Sequence, residues 1–548
     1  MRTNHWRVCP ADPARASRLA ARIGTHPRVG QLLLNRGITE PAEAARFLLP
    51  RLDALDNPLQ LPHMPKALAR IHAALRHKEL IWVFGDSDVD GITASAIVYE
   101  TLRARDGRVS VTLSNRIEDG YGLPPTLLPQ ATRAGVGLLI LVDCGTNQRE
   151  VLEAWHAGGI DVIVLDHHVP MDEPARPMAM VNPYQGSGIG RELCSAGLAF
   201  KLAQALHPDD AAHWHGLLDL AALGTLADYA PLRGDSRILV ASAHAPLRET
   251  ERPGLRQLYE AIGIATPSPE TILRKVTPVL NAAGRLGNPR PVWELLVTRS
   301  ATEATTLLAT ALECYAHTKR LNRQIIAEAN AQVDRLHFRD QHVMVVGRQG
   351  WHPGLMGPLA AQLAERFGRP AIAIAFDAQG IGVGSGRSPS MFDLLDALRA
   401  CDGVLMRYGG HPRACGLTVA GDRLDAFRET LNRHVQTTGT YAQLAQTLEI
   451  DAEVLLEELT PDFAEEASGL APFGVGNPKT SVLVRGVRVR EDEDGAWLVV
   501  RGERRKLRKL TDRLSTADTY DVVVTPSLVD GQCVVSLRDA RETTNGLS

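Results

Sequence analysis

Asp86-Ser87-Asp88-Val89-Asp90-Gly91 sets three alternate carboxylates on one short segment, and Asp166-His167-His168 adds a carboxyl beside two imidazoles further along the chain. Hard carboxylate oxygens suit Mg²⁺ or Mn²⁺, and an imidazole in the set tilts the choice toward Mn²⁺. Two such ions held close together carry out phosphoryl-transfer chemistry. Two more acids fit the pattern, Asp143 in Val142-Asp143-Cys144-Gly145 and Asp228 in Gly224-Thr225-Leu226-Ala227-Asp228. Each motif alone has a plainer reading. A DxDxDG turn imitates a calcium loop, but the glutamate that closes such a loop is missing, because the twelfth residue from Asp86 is Ile97. Adjacent histidines face opposite sides of a strand and need a turn to share a task. Asp143 and Asp228 could each cap a helix. All four motifs together favour one convergent metal pocket.

The elements that must position these residues are legible in the apolar pattern. Segments 80–84, 109–113, 138–142 and 162–165 are short, mostly apolar and separated by helix-length stretches, as in a parallel sheet covered on both faces. Three of the four run into Asp86, Asp143 and Asp166. Ligands of open α/β sheets bind beyond the carboxyl ends of the strands, so a parallel sheet collects these acids at one edge. Residues 193–227 read as helices leading to Asp228. Residues 301–336 form a long helical pattern, with Leu308, Leu312, Tyr315, Asn322 and Ile326 toward one face, and read as a connector. A second α/β region runs from 343 to about 440. Its glycine-rich stretches, Trp351-His352-Pro353-Gly354, Gly384-Ser385-Gly386-Arg387-Ser388 and Gly409-Gly410-His411, read as turns. A short helix is expected after 447. Strands at 482–489, 497–500, 522–524 and 533–537 then predict a small barrel of OB type. Residues 1–75 read as a helical wrap. The fold class is therefore α/β, with two α/β lobes joined by a long helix and a C-terminal OB-like β-barrel. The expected division is 1–75, 76–300, 301–340, 341–445 and 446–548.

A chain of 548 residues is too long for one core, and its length predicts roughly three or four domains. The net charge of −3 excludes a polycation, so nucleic acid would have to be met by local basic patches. One such patch is residues 501–509, with six basic residues and one acid. The 7 cysteines are scattered without a CxxC pair, which points to reduced thiols and a cytoplasmic protein. Residues 1–22 lack the apolar segment of a signal peptide, and no run of ~18 apolar residues predicts a membrane span.

The motif order DSDVDG, VDCGTN, DHH, GTLAD resembles the DHH phosphoesterase superfamily. QLLLNRG (31–37), NRIEDGYG (115–122), NAAGRLG (281–287), WHPGLMG (351–357), GSGRS (384–388), GGHPRACG (409–416) and PFGVGNP (472–478) are similar to its RecJ branch, the single-strand-specific 5′-to-3′ DNA exonucleases. The resemblance spans residues 31 to 478. Ser87 stands where an aromatic is usual and Cys415 where alanine is usual, and neither change removes a ligand.

The resemblance implies a DHH catalytic lobe, a DHH-associated substrate-binding lobe and a nucleic-acid-binding barrel. It implies two Mn²⁺ or Mg²⁺ ions held by Asp86 or Asp88, Asp90, Asp143, His167 and Asp228, with Asp143 bridging. His168 is expected to touch the scissile phosphate, and Asp166 to orient a ligand histidine. Guanidinium forks and small hydroxyls suit a 5′-phosphate, which makes Arg116, Ser385 and Arg387 candidates for end recognition; the plain readings are a surface arginine and a strand-end charge, and the resemblance favours the phosphate role. Tyr121, between two glycines, is expected to stack on a base. Asn281, Arg285 and His411 are expected to contact backbone phosphates. The basic run beside Trp497 reads as a single-strand platform. The implied partners are single-stranded DNA with a 5′ end, a single-strand-binding protein and a helicase. A monomer with no membrane contact is expected, acting in recombination and repair. One rival is a DHH phosphoesterase of short oligonucleotides or nucleotides; such enzymes are often shorter and lack the barrel and the N-terminal wrap. The other is a metal-free binding subunit, and here every expected ligand is present.

Overall fold

The computed structural model describes residues 5–543 apart from 172, 187, 336–340, 389–391, 439–446, 494, 509–513 and 516–517. The first lobe is built on five parallel strands in the order Arg108–Leu113, Leu80–Gly85, Val136–Val142, Asp161–Leu165, Ala179–Val181. The two central strands are buried almost throughout, as unbroken apolar runs are when helices cover both faces. Ala179–Val181 lies outside the sequence expectation, since three residues carry no period of their own.

Register fixes the acidic edge. Gly85 sits opposite Leu113 and Val142, and Val142 opposite Leu165. The ladder then continues one residue further. The N–H of Asp86 donates to the Val142 carbonyl at 3.4 Å, that of Asp143 to Leu165 at 3.0 Å and that of Asp166 to Val181 at 3.2 Å. The three acids are thus neighbours because their strands end in step.

Helix Ala301–Arg335 has 35 residues and at 1.5 Å per residue is about 50 Å long. Leu308 and Ala311 sit in the core of the first lobe, and Ile325, Ala329 and Val333 in that of the second. One rigid element therefore belongs to both cores. The second lobe carries a mixed sheet in the order Arg407–His411, Ala414–Ala420, Ile381–Arg387, Ala371–Phe376, Met344–Gln349, with only the last two strands parallel. The stretches Gly384–Arg387 and Gly409–His411, expected as turns, are strand residues. Packing explains the first: a Cβ at Gly382, Gly384 or Gly386 would strike Phe376, Ile374 or Leu394.

In the barrel, Val482–Asp492, Gly495–Val500, Glu503–Leu507, Gln532–Glu542 and Thr519–Val529 pair in that order, and the first closes on the last. Glu503–Leu507 lies in the basic run and is itself a strand; Lys509 of that run lies outside the described residues. Arg504 sits 4.4 Å and Lys506 5.7 Å from the Trp497 ring. The helix expected after 447 comes later, at Pro461–Ser468, because Thr447–Ile450 is a strand.

Helices Pro13–Ile23, Pro27–Asn35, Pro41–Leu48 and Met64–Arg76 form the expected N-terminal wrap, each with proline in its first turn, where a missing N–H costs nothing. The wrap opens instead with a strand, His5–Val8, paired in parallel with Thr447–Ile450. Trp6 Nε1 donates to Asp539 Oδ2 at 2.8 Å, so the two ends of the chain are fastened together. Among the described residues no helix is long and apolar enough to cross a membrane.

Candidate metal centre and cleft

Asp86 and Asp88 occupy the turn between strand Leu80–Gly85 and helix Val89–Arg103, and Asp90 lies in the first turn of that helix. Asp86 is fully buried. Its Oδ1 accepts from Ser114 Oγ at 2.6 Å, Ser87 N–H at 2.7 Å and Arg116 Nε at 2.8 Å, and its Oδ2 takes Arg116 Nη2. Asp88 is the helix N-cap, with Oδ1 accepting the N–H groups of Asp90 and Gly91 at 3.1 and 3.3 Å. Its Oδ2 lies 3.2 Å from Arg116 Nη2. Asp90 accepts the N–H groups of Ser195 and Ala196, both at 2.8 Å. These are the first donors of helix Ser195–Leu206, whose positive end suits a carboxylate. Asp143 has a φ of 64° and accepts from Ser195 Oγ at 3.0 Å. Ser195 therefore ties two acids together, and it escaped the sequence reading because backbone donors leave no residue-type signature.

His167 stands among these acids. Its Nε2 is 3.3 Å from Asp143 Oδ1 and 3.8 Å from Asp90 Oδ2, and its Nδ1 is 3.8 Å from Asp228 Oδ2. Asp228 caps the C-terminus of helix Leu218–Ala227. Three sets of donor atoms lie within 4.8 Å of one another: Asp86, Asp88 and Asp143; Asp90, His167 and Asp228; Asp143, His167 and His168. Asp143 belongs to two of them. Asp166 was expected to orient a ligand histidine; its Oδ1 lies 2.7 Å from Nδ1 of His168, which belongs to one of these sets. Its turn folds the imidazole two residues on back over the carboxylate, while the N–H groups of His167 and Thr146 hold that carboxylate at 2.8 and 3.1 Å. Tyr121, expected to be free for a base, has its hydroxyl 3.2 Å from His168 Nδ1 and donates to the Asp143 carbonyl at 3.3 Å. From the second lobe, the His411 ring stacks on His168 with centroids 6.0 Å apart.

The electrostatics describe a cluster short of positive charge. Burial raises the Asp143 carboxyl well above the usual range, and the charges of Asp88 and Asp90 add to it. Burial and Asp90 raise Asp88 as well. Burial pushes Asp228 up to about 7 against the opposing charge of His167. Burial alone would lower His167, but its hydrogen bond to Asp143 and the charges of Asp228, Asp143 and Asp90 outweigh it and raise the imidazole well above its ordinary value. Asp166 is the exception: burial works to raise it, yet the charge and hydrogen bond of His168 hold it far below. Crowded, buried carboxylates demand protons or cations. The Arg116 guanidinium already spans Asp86 and Asp88 as a cation would. A donor set of carboxylate oxygens and one imidazole fits Mg²⁺ or Mn²⁺.

Beside the cluster lies a set of guanidinium groups. Arg387 Nη1 donates to Ser385 Oγ and to the Gly386 carbonyl, each at 2.8 Å. Burial lowers Arg387, and the charge of Arg116 lowers it further. Burial likewise lowers Arg285, with Asp88 opposing and Arg387 assisting. Among the described residues no hydrogen bond or ion pair engages the Arg285 side chain. The two lobes meet here, since a Cβ at Gly354 of the second lobe would collide with the Arg285 carbonyl. Asn281, expected on a phosphate, accepts the Val89 N–H at its Oδ1 at 3.0 Å and so steadies the acidic turn.

The comparisons with known proteins agree with this geometry. The DHH family N-terminal domain matches residues 80–225, the DHHA1 domain residues 340–437 and the RecJ OB domain residues 450–504. A single-stranded-DNA-specific exonuclease RecJ of Bacillus subtilis is 34% identical over 488 residues, covering 87% of this chain, and the chain spans 61% of that relative's length. The protein of the same description from Dickeya dadantii is 33% identical over 480 residues, covering 82% of each chain. Among solved structures, RecJ of Thermus thermophilus in complex with Mn²⁺ superposes with a TM-score of 0.84 at 27% identity, covering 98% of this chain and 80% of that one. Its Mg²⁺ complex gives 0.78 at 26% identity, covering 98% and 78%. With all three domains matched and the acid–histidine cluster intact, the chain belongs to the RecJ family, the single-stranded-DNA-specific exonucleases of the DHH superfamily.

Proposed function

We propose that this chain hydrolyses single-stranded DNA from its 5′ end, releasing 5′-nucleotides, and serves recombination and repair. The observation that carries the reading is the acid–imidazole cluster flanked by Arg285 and Arg387, which joins a phosphodiester-cleaving centre to an anion-binding wall. Asp90, His167 and Asp228 would hold one divalent cation and Asp88 and Asp143 the second, Asp143 belonging to more than one of the donor sets. Asp86, whose Oδ1 accepts from Ser114 Oγ and the Ser87 N–H, anchors the turn, and its Oδ2 would join the second set once Arg116 moves off it. When bound, Mn²⁺ or Mg²⁺ supplies Lewis acidity and neutralises the acids.

The chain's own residues do the rest. Asp166 fixes the His168 ring at Nδ1, which turns Nε2 toward the scissile phosphate, to which the protonated imidazolium donates. Tyr121 and His411 hold the same ring from two sides. Arg387 and Ser385 take the terminal phosphate, Arg116 shifts from the acids toward it, and Arg285 takes a backbone phosphate. A terminal phosphate held this close to the metals lets the cut fall only near the 5′ end, which makes the enzyme an exonuclease. The working division is 1–75, 76–300, 301–340, 341–445 and 446–548. Its partners are a helicase that supplies single strand and a single-strand-binding protein that keeps it open.

The test uses single strands labelled at either end, matched duplex, Mn²⁺ or Mg²⁺, and an Asp143→Ala variant. Mononucleotide released at once from a 5′ label, stepwise shortening of 3′-labelled strand, intact blunt duplex and an inactive variant are expected. Normal turnover by the variant would refute the shared-ligand assignment. Release beginning at the 3′ label would refute the polarity.

A further inference from the structure

Tyr229 directly follows the metal-site acid Asp228, and it is 62% exposed. Its φ of 57° lies in the left-handed region, which an aromatic residue seldom enters. The conformation is imposed by the helix end: the N–H groups of Asp228, Tyr229 and Ala230 donate to the carbonyls of Gly224, Leu226 and Thr225 at 2.9, 3.1 and 3.1 Å. The following residues are pinned as well, with Leu232 N–H donating to the Val475 carbonyl at 2.7 Å and Arg233 Nε to that of Gly476 at 3.2 Å. A costly conformation fixed on both sides at the edge of an active site points to use of the side chain it presents. The ring makes no aromatic or cationic contact among the described residues, and the side chain lies within electrostatic range of Arg285. A lone exposed aromatic is ordinary. This one directly follows a metal-site acid and lies within electrostatic range of a guanidinium that no hydrogen bond or ion pair engages among the described residues.

We propose that Tyr229 is a stacking platform for one base of the strand, next to the phosphate that Arg285 takes. Single-stranded nucleic acid offers alternating charged phosphates and exposed base faces, and an arginine beside a bare aromatic ring meets both. A base inside a duplex has its faces covered by its neighbours and cannot use the ring. Tyr229 therefore contributes to single-strand selectivity through stacking, independently of how wide the cleft is. This inference rests on the exonuclease reading of the same site.

The test places 2-aminopurine at successive positions of a short single strand and follows its fluorescence on binding with Ca²⁺ in place of Mn²⁺. Strong quenching is expected at one position near the 5′ end with the unaltered protein and with Tyr229→Phe. It is expected to vanish with Tyr229→Ala and Tyr229→Gly. In Mn²⁺ assays the Ala and Gly variants should raise KM roughly tenfold, as loss of one stacked base does, with kcat and Mn²⁺ affinity little changed. Glycine relieves the backbone strain, so a Gly variant that matches the unaltered protein would overturn the proposal. So would a fall in kcat or Mn²⁺ affinity in the Ala variant at unchanged KM, which would make Tyr229 a support for Asp228. Because quenching is read without hydrolysis, absence of any exonuclease product would refute the exonuclease reading separately.

Discussion

Asp86, Asp88 and Asp90 share one side chain and one short segment, yet their hydrogen-bond donors divide the work. Asp86 is held by Ser114, Ser87 and Arg116, Asp90 is clamped by the start of a helix, and Asp88 keeps an oxygen toward the cleft. The same logic separates the arginines. Arg116 lies on acids, whereas among the described residues Arg387 is engaged only by Ser385 and a carbonyl, and it is half-buried near the charge of Arg116. Arg387→Ala should therefore cut kcat/KM on 5′-phosphorylated strands by roughly 10- to 100-fold, the worth of one charged hydrogen-bonding group. It should change turnover of 5′-hydroxyl strands little. Parallel progress curves on the two ends measure this, and equal loss on both would remove Arg387 from end recognition. At this scale the sequence disclosed which residue types gather, because acids after apolar strands are conspicuous. It could not divide Asp86 from Asp88, nor pair Asp166 with His168, because those choices depend on donors from Ser114, Arg116, Thr146 and Ser195 that come from other elements.

Elements with a strong apolar run were legible, and elements held by partners were not. Segments 80–84 and 138–142 announced themselves and proved to be Leu80–Gly85 and Val136–Val142. Ile381–Arg387 was hidden because its alternate glycines look like a turn until Phe376, Ile374 and Leu394 are seen to need the space. His5–Val8 was hidden because its only reason to be extended is Thr447–Ile450 at the far end of the chain. Close approach also governs the helix Thr277–Arg285, where a Cβ at Gly284 would collide with the Ser87 carbonyl inside the acidic turn. Gly284→Ala must push that helix off the turn, and the Asn281 bond to Val89 with it. A loss of about 1–3 kcal/mol of stability is expected from such overpacking, together with a lower kcat. Denaturant titration and single-turnover rates read the two effects, and unchanged values of both would show that the turn tolerates a looser neighbour.

The whole molecule is closed by contacts between parts far apart in sequence, and one side chain carries several of them. Arg237, in the catalytic lobe, is 1% exposed. Its guanidinium donates to the carbonyls of Phe47, Leu470, Ala471 and Pro472 at 2.8, 2.9, 2.6 and 3.1 Å, and it lies 3.7 Å from the Phe47 ring. The N-terminal wrap, the catalytic lobe and the segment leading into the barrel thus meet on one cation. The same segment is gripped by Asn477, whose Nδ2 donates to the Leu470 and Pro472 carbonyls while its Oδ1 accepts from Arg36 Nε. It also reaches back to Leu232 and Arg233, a few residues past Asp228. Arg237→Met keeps much of the volume but leaves buried carbonyls without a donor, at a cost of about 1–3 kcal/mol for each group left unsatisfied. The variant should unfold earlier, and limited proteolysis should cut first near residue 470, releasing the barrel before the lobes are degraded. Weaker Mn²⁺ binding should accompany the cut-prone state, because the segment behind Asp228 loses its anchor. If the thermal midpoint and the order of cleavage were both unchanged, the barrel would have to be held by the Trp6, Arg36 and strand contacts alone.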